Sequence, residues 1–191
     1  MPEDRENSKK KLFDEIPHLE SAHIELGPIV DADVDAIQEL TNSPSVRRYL
    51  PTFLFEMQCA DARETVQFVY GELFAMKQSL ILAIRTKDDG SLCGFAEFYG
   101  LRDDGHKISI GNRLLERYWG QGISTETVLL MVDYLFTQTD IELITASVMV
   151  ENAASSRVLE KNGFTCTARG VEEDWGFAVP AIVDKWVRQK T

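Results

Sequence analysis

The segment Tyr118–Glu126, Tyr-Trp-Gly-Gln-Gly-Ile-Ser-Thr-Glu, places a Gly-x-Gly turn between a predicted strand and a predicted helix. The strand is Lys107–Leu115, and the helix is indicated by apolar residues at helical spacing: Val128, Met131, Val132, Leu135 and Phe136. Glycines allow a sharp turn and leave room for a ligand. The first N–H groups of a helix lack intrahelical partners and lie at the positive end of its dipole. The segment therefore favours phosphate or diphosphate binding, although such a turn also serves as a plain tight connection.

Length and charge limit the kinds of protein that this chain can be. Its 191 residues suit one domain with a substantial core. A net charge of −11 and a pI near 4.7 argue against a nucleic-acid-binding surface, which needs a basic stripe. No apolar run is long enough to span a membrane, and the charged segment Met1–Lys11 does not resemble a signal peptide. We therefore expect a cytoplasmic protein.

Cysteines and histidines give no indication of a metal site. The cysteines Cys59, Cys93 and Cys166 are scattered and lack the spacing of metal ligands. The histidines His18, His23 and His106 are equally isolated. We expect reduced thiols and no metal cofactor.

The order of predicted elements indicates one α/β domain with a mixed sheet, residues 21–191, preceded by a loose, charged arm, residues 1–20. Predicted strands cover residues 23–30, 79–85, 91–100, 107–115, 141–150, 164–168 and 177–187. Turns at Asp88-Asp-Gly90 and Asp103-Asp-Gly105 predict a three-strand antiparallel meander before the Gly-x-Gly turn. Four helices are predicted besides the one that follows the turn. The first is capped by Asp31 or Asp33 and ends at about residue 42, and the second covers 44–50. The third begins at a capping box at Asp61, and the fourth covers 152–162.

A dinucleotide-binding unit is an alternative interpretation of a strand, Gly-x-Gly turn, helix and strand. Asp140 or Glu142 lies at about the distance of the ribose-binding acid. However, Thr125 stands where the third glycine would be, and the unit occurs once, after an antiparallel meander. A P-loop is excluded because no Gly-Lys-Ser/Thr follows the turn.

Two motifs together resemble those of the GNAT N-acetyltransferases. Trp119-Gly-Gln-Gly-Ile-Ser124 is similar to the acyl-CoA diphosphate loop of that family. Asn152-Ala-Ala-Ser155-Ser-Arg-Val-Leu-Glu-Lys-Asn-Gly-Phe164 resembles the second signature of its ribosomal-protein-alanine N-acetyltransferase branch. The order of elements matches from about residue 22 to residue 188, so the resemblance covers nearly the whole chain outside the arm.

The resemblance implies a mixed, mainly antiparallel central sheet that is flanked by helices and splays between two parallel middle strands, 107–115 and 141–150. Acetyl-CoA would lie in that opening, with its pantetheine arm on the backbone of Leu114 and Leu115. Its diphosphate would bind N–H groups of the turn, with Gly120, Gln121, Gly122, Ser124 and Thr125 as the site residues. Asn152 would reach the pantetheine or the phosphates. The nearest cations in sequence are Arg117, Arg157 and Lys161.

The resemblance also implies catalytic roles, with two departures from the family pattern. Leu159 stands where many members have a tyrosine that protonates the CoA thiolate, so Ser155 is the implied donor, as in the ribosomal-alanine branch. Ser109 stands where members often have a glutamate base. The remaining candidates for the base are Glu173, which the branch pattern favours, and Glu97.

A missing strong base favours a weakly basic α-amine, so the leading prediction is acetylation of a protein or peptide N-terminus. Two alternatives stay open. One is a small-molecule amine acetyltransferase for a polyamine, amino acid or aminoglycoside. The other is a catalytically silent acyl-CoA-binding module. The expected partner is an amine-bearing acceptor, and the expected state is a monomer or homodimer.

Overall fold

The computed structural model describes residues 12–50, 62–66, 71–101 and 106–191, which form one eight-stranded sheet with packed helices. The strands are β1 (Leu19–Glu20), β2 (Ile24–Gly27), β3 (Ser79–Thr86), β4 (Leu92–Tyr99), β5 (Lys107–Leu114), β6 (Leu143–Met149), β7 (Thr165–Glu173) and β8 (Ala181–Gln189). Their order across the sheet is β1-β2-β3-β4-β5-β6-β8-β7. Neighbouring strands are antiparallel except β5 and β6, which run parallel. The predicted α/β fold with a mixed, mainly antiparallel sheet is confirmed.

The helices are α1 (Val34–Asn42), α2 (Pro44–Arg47), α3 (Ala62–Thr65), α4 (Leu73–Ala75), α5 (Ile123–Gln138) and α6 (Ala153–Lys161). Helix α2 begins as its sequence predicts, because the Ser43 side chain accepts from the Val46 N–H and Pro44 occupies the first turn. The predicted capping residue Asp61 and the predicted turn over residues 103–105 lie outside the described residues. No helix in the described ranges is both long and apolar enough to cross a membrane.

Two hydrophobic clusters hold helices against opposite faces of the sheet. The larger cluster joins Met131 and Val132 of α5 to Phe98 of β4. The smaller cluster joins Ile37 of α1 to Phe95, which lies on the other face of the same strand. Phe98 and Phe95 are 0% and 1% exposed, so β4 is buried on both faces. This burial makes β4 a rigid central strand, and β5 pairs with it directly.

The parallel strands β5 and β6 are paired over a short stretch and then separate. Their cross-strand partners are Lys107 with Leu143, Ile108 with Ile144 and Ser109 with Thr145. Beyond these pairs β5 continues against β4, and β6 continues against β8. The two strands therefore leave a gap in the middle of the sheet, as the resemblance implies.

Residues 12–20, which the sequence assigns to a loose arm, pack against the sheet. Leu12 and Phe13 are 4% and 8% exposed and belong to the larger core cluster. The Phe13 and Phe74 ring centroids lie 5.9 Å apart. Leu19 and Glu20 pair with β2 as the edge strand. The sequence does not indicate this packing, because charged residues surround the apolar side chains. These side chains stabilise the fold by covering apolar surface of the core.

The last two strands also differ from the prediction. β7 continues to Glu173, and β8 begins at Ala181 rather than at residue 177. The pairing register of β7 shifts between Cys166 and Ala168 and again between Ala168 and Val171. These irregularities break the alternation by which a strand is predicted, so the sequence indicated too short a strand.

Gly94 of β4 offers a test of how closely β4 approaches β5. A Cβ atom at Gly94 would lie 2.0 Å from the Arg113 carbonyl oxygen and 2.8 Å from the Leu114 Cα. Gly94→Ala should therefore lower the free energy of unfolding in urea by about 2 kcal/mol or more, because backbone atoms must move.

Gly71→Ala is the matched control, since the nearest atom to its added Cβ is the Val66 carbonyl oxygen at 4.0 Å. It should change the free energy of unfolding by less than about 1 kcal/mol. Equal stability of the Gly94 variant and the wild type would contradict the close strand approach.

Candidate functional site

The Gly-x-Gly turn lies between the end of β5 and the start of α5. Gly120 and Gly122 have φ angles of 73° and 84°, in the left-handed region that glycine adopts without strain. Gly122 is the N-cap of α5, and the Glu126 N–H is hydrogen-bonded to the Gly122 carbonyl at 3.1 Å. A side chain at either glycine would meet no atom within 4 Å. The first N–H groups of α5 thus face an open approach, at the positive end of the helix dipole.

Side chains of the turn fix its own backbone. The Trp119 indole N–H donates to the Leu114 carbonyl at 2.9 Å, and the Gln121 side-chain amide donates to the Arg117 carbonyl at 2.7 Å. The Arg117 guanidinium forms an ion pair with Glu39 and lies 5.2 Å from the centre of the Tyr118 ring. These contacts hold the turn in shape before any ligand binds.

The backbone of Leu115 is used inside the fold, which differs from the role predicted for it. Its N–H donates to the Cys93 carbonyl at 2.8 Å, and its carbonyl accepts from the Tyr118 N–H at 2.9 Å. Because bonding residues alternate along an antiparallel ladder, Asn112 and Leu114 direct their backbone groups away from β4 and toward the gap. The strand edge available to a ligand is therefore formed by Asn112 and by the Leu114 N–H, since the Leu114 carbonyl already accepts from the Trp119 indole.

The opposite edge of the gap belongs to β6. The Val150 N–H donates to the Ile182 carbonyl at 3.0 Å, which sets the alternation between β6 and β8. By that alternation Ser147 and Met149 direct their backbone groups toward the gap. Two strand edges thus face each other across an opening that no strand of the described residues fills.

Two asparagines tie the first turn of α5 to its surroundings. The Asn112 side-chain amide donates to the Ser124 hydroxyl at 2.6 Å, which links β5 to the helix. The buried Asn162 donates to the Thr125 carbonyl at 3.2 Å, which links the end of α6 to the same turn. Ser124 and Thr125, both predicted as cofactor-binding residues, are held from two directions.

The second motif forms the start of α6. Asn152 is the N-cap, and its side-chain oxygen accepts from the Ser155 N–H at 3.2 Å. The Ser155 side chain is half-buried. Leu159 is 5% exposed and packs in the larger core cluster. The motif therefore combines a helix cap, a hydroxyl at the helix start and a core residue where many family members have tyrosine.

One face of the sheet around the gap carries a row of polar side chains. The register places the following pairs opposite each other on that face: Glu97 with Gly111, Tyr99 with Ser109, Ser109 with Thr145, and Ser147 with Lys185. The Ser109 and Thr145 hydroxyl oxygens are 2.8 Å apart, at the point where β5 and β6 part. Sequence patterns contain no signal for Tyr99, Thr145 or Lys185, because the alignment of these residues depends on strand register.

The two candidate carboxylates on this face have different surroundings. Glu173 forms an ion pair with Lys185 and accepts from the Trp175 indole N–H at 2.9 Å, so both of its oxygens have partners. Lys185 also donates to the Ser147 hydroxyl at 3.1 Å, and burial together with the charge of Lys107 lowers the pKa of Lys185. Glu173 is thus part of a fixed network.

Glu97 accepts a hydrogen bond from the Ser79 hydroxyl at 2.7 Å. The Tyr99 ring lies over Gly111, since a Cβ at Gly111 would be 3.7 Å from its Cε1 atom. Burial, and secondarily the Glu97 charge, raises the pKa of Tyr99. Tyr99 is therefore a neutral hydroxyl at physiological pH, beside a half-buried carboxylate.

Comparisons with known proteins agree with this geometry. Residues 23–165 match the family model described as the acetyltransferase (GNAT) domain. An uncharacterized N-acetyltransferase of Bacillus subtilis, YoaA, is 28% identical over 148 residues, which span 78% of this chain and 82% of that protein. An uncharacterized N-acetyltransferase of Bacillus licheniformis, p20, is 25% identical over 81% of this chain and 85% of its own length.

Among solved structures, the ribosomal L7/L12 α-N-protein acetyltransferase RimL in complex with coenzyme A has a TM-score of 0.78 and 20% identity, covering 91% of this chain and 98% of that chain. The spermidine N-acetyltransferase of Vibrio cholerae in complex with CoA and spermine has a TM-score of 0.72 and 18% identity, covering 87% of this chain and 95% of that chain. At these identities the structures establish the shared fold. The family match, which extends from residue 23 to residue 165, goes further: the protein belongs to the GNAT family and is an acetyl-CoA-dependent N-acetyltransferase.

Proposed function

We propose that this enzyme transfers the acetyl group of acetyl-CoA to the α-amine of a protein or peptide N-terminus. The observation that carries the proposal is the Ser109–Thr145 hydroxyl pair at the point where β5 and β6 part. Thr145 also approaches the Ile108 carbonyl at 3.3 Å, so the pair is bonded to the strand backbone. Hydroxyls at this point are far weaker proton acceptors than a carboxylate would be.

No carboxylate of the described part of the chain lies where β5 and β6 part, and Glu97 is one strand away on β4, so the site favours an acceptor that loses its proton easily. An α-ammonium has a pKa of about 7.7–8.0, whereas a lysine ammonium has a pKa of about 10.4. At pH 7 the neutral, nucleophilic form is therefore roughly 300-fold more abundant for an α-amine. Similarity to the RimL fold supports the same acceptor class.

For the general base we favour Glu97 over Glu173. The Glu173 carboxylate is paired with Lys185 and accepts from Trp175, so both of its oxygens are already engaged in the fold. Among the described residues, Glu97 is seen to accept a hydrogen bond only from the neutral Ser79 hydroxyl. Glu97 would take the ammonium proton, directly or through a water molecule, before the amine attacks the thioester carbonyl.

The remaining roles follow the family pattern on the residues of this chain. N–H groups from Gly120 to Thr125 would bind the diphosphate, and the β5 edge at Asn112 and Leu114 would pair with the pantetheine arm. Asn152 would contact the cofactor from the start of α6. After the tetrahedral intermediate collapses, Ser155 would donate a proton to the departing CoA thiolate.

A small amine is the second candidate acceptor. The similarity to the spermidine N-acetyltransferase and the net charge of −11 both favour a cationic acceptor.

Matched peptides distinguish these acceptors. We expect CoA release from acetyl-CoA with peptides that carry a free N-terminus, and none with the same peptides after N-terminal blocking, even when they contain lysine. Thiol release by the purified enzyme measures both. Turnover with polyamines and not with peptides would contradict an N-terminal acceptor and favour a small amine.

A substitution at the N-cap of α5 tests the diphosphate position. Gly122→Asp should weaken CoA binding in calorimetry by at least about tenfold more than Gly122→Ala does, because the carboxylate repels phosphate. Both variants carry the same strain at a φ of 84°, so their difference isolates the charge. Equal CoA affinity of the two variants would place the diphosphate elsewhere.

The two carboxylates should respond differently to neutralisation. Glu97→Gln should lower kcat by about 100-fold at pH 7 with little change in the KM for acetyl-CoA, because it removes the base. Glu173→Gln should mainly lower the thermal unfolding temperature, because it leaves Lys185 without its partner. The reverse pattern in kcat would return the role of the base to Glu173.

A further inference from the structure

Asn112 stands between the two parts of the cofactor site. Its backbone faces the gap between β5 and β6, and its side-chain amide reaches the Ser124 hydroxyl at 2.6 Å. Ser124 lies in the first turn of α5, two positions after the N-cap Gly122. One residue of β5 therefore contacts the region of the pantetheine arm and the region of the diphosphate.

The direction of this hydrogen bond decides what Ser124 can do. A serine hydroxyl has one hydrogen to donate and two lone pairs to accept with. Asn112 occupies a lone pair, so the hydroxyl hydrogen is left for another acceptor. A diphosphate carries acceptor oxygens only, and a bond to an ionised acceptor is the stronger kind. A hydroxyl that already accepts one bond is also a better donor.

We propose that Asn112 is a positioning residue for acetyl-CoA that acts through Ser124. By donating to Ser124, Asn112 turns the hydroxyl hydrogen toward the CoA diphosphate, beside the N–H groups of the α5 N-terminus. Asn112 thereby connects the strand edge that would bind the pantetheine arm to the N-terminus of α5, which would bind the diphosphate. The inference rests on the cofactor position of the proposed function and is independent of the acceptor.

CoA affinity, measured by calorimetry without any acceptor, tests this role. Asn112→Ala should raise the Kd for CoA about tenfold, because the Ser124 hydroxyl would no longer be oriented for its charge-assisted hydrogen bond to the diphosphate. Asn112→Asp should raise it further, although Asp has nearly the shape of Asn. Its carboxylate would accept the Ser124 hydrogen and add a negative charge near the phosphates.

A double-mutant cycle shows whether Asn112 acts through Ser124. Ser124→Ala alone should raise the Kd about as much as Asn112→Ala, and the double variant should bind no more weakly than Ser124→Ala. Thr137→Ala is the matched control, since it also removes a 2.6 Å side-chain hydrogen bond on α5 but near the far end of that helix. Its Kd for CoA should equal that of the wild type.

Three results would overturn the proposal. Additive effects of the Asn112 and Ser124 substitutions would mean that Asn112 acts by another route. An Asn112→Asp variant that binds CoA like the wild type would mean that the amide hydrogen is not used. A wild-type protein that does not bind CoA would overturn the cofactor site itself, whereas failure with peptide acceptors alone leaves this test unaffected.

Discussion

The separation of β5 and β6 is the constraint on which the rest of the site depends. Backbone N–H and C=O groups in a sheet need partners, and two strands that part leave rows of such groups facing each other. An extended chain of amides, such as the pantetheine arm of acetyl-CoA, supplies matching donors and acceptors. Gly94 permits β4 to follow the backbone of β5 closely at Arg113, four residues beyond Ser109, the last residue of β5 that pairs with β6. Burial of β4 on both faces keeps this arrangement rigid.

A strongly acidic protein that binds a polyanion must concentrate positive potential locally. Arg117, the nearest cation to the turn in sequence, is paired with Glu39 and has part of its charge neutralised. The α5 N-terminus supplies oriented N–H groups and the helix dipole, and neither adds a formal charge. The Ser124 hydroxyl, held by Asn112, adds one more donor in the same place. In the proposed site, recognition of the diphosphate thus depends mainly on neutral donors whose positions are fixed before binding.

On the face of the sheet that carries the row of polar side chains around the gap, some of these residues stabilise the fold and others are available for chemistry. Lys185 joins β8 to Glu173 on β7 and to Ser147 on β6, so it stabilises the outer half of the sheet next to the gap. Glu97 lies on the other side of the gap beside the neutral Tyr99 hydroxyl, and it keeps a carboxylate that no described cation is seen to pair. A catalytic base needs such an available carboxylate, whereas a paired one mainly holds strands together.

Local sequence patterns are sufficient to predict the features that depend on local geometry: the glycine turn, the apolar face of α5, the hairpin at Asp88-Asp-Gly90 and the two motifs that indicate the family. Their physics acts within a few residues, so their spacing is sufficient to predict them. The three-dimensional strand pairing, by contrast, sets which backbone groups face the gap: those of Asn112 do, whereas those of Leu115 are bonded within the fold. It also decided that Glu173 meets Lys185 across β7 and β8, after irregular pairing that alternation did not predict. Strand register and long-range pairing set these contacts, and a shift of one residue would turn every side chain of a strand to the other face.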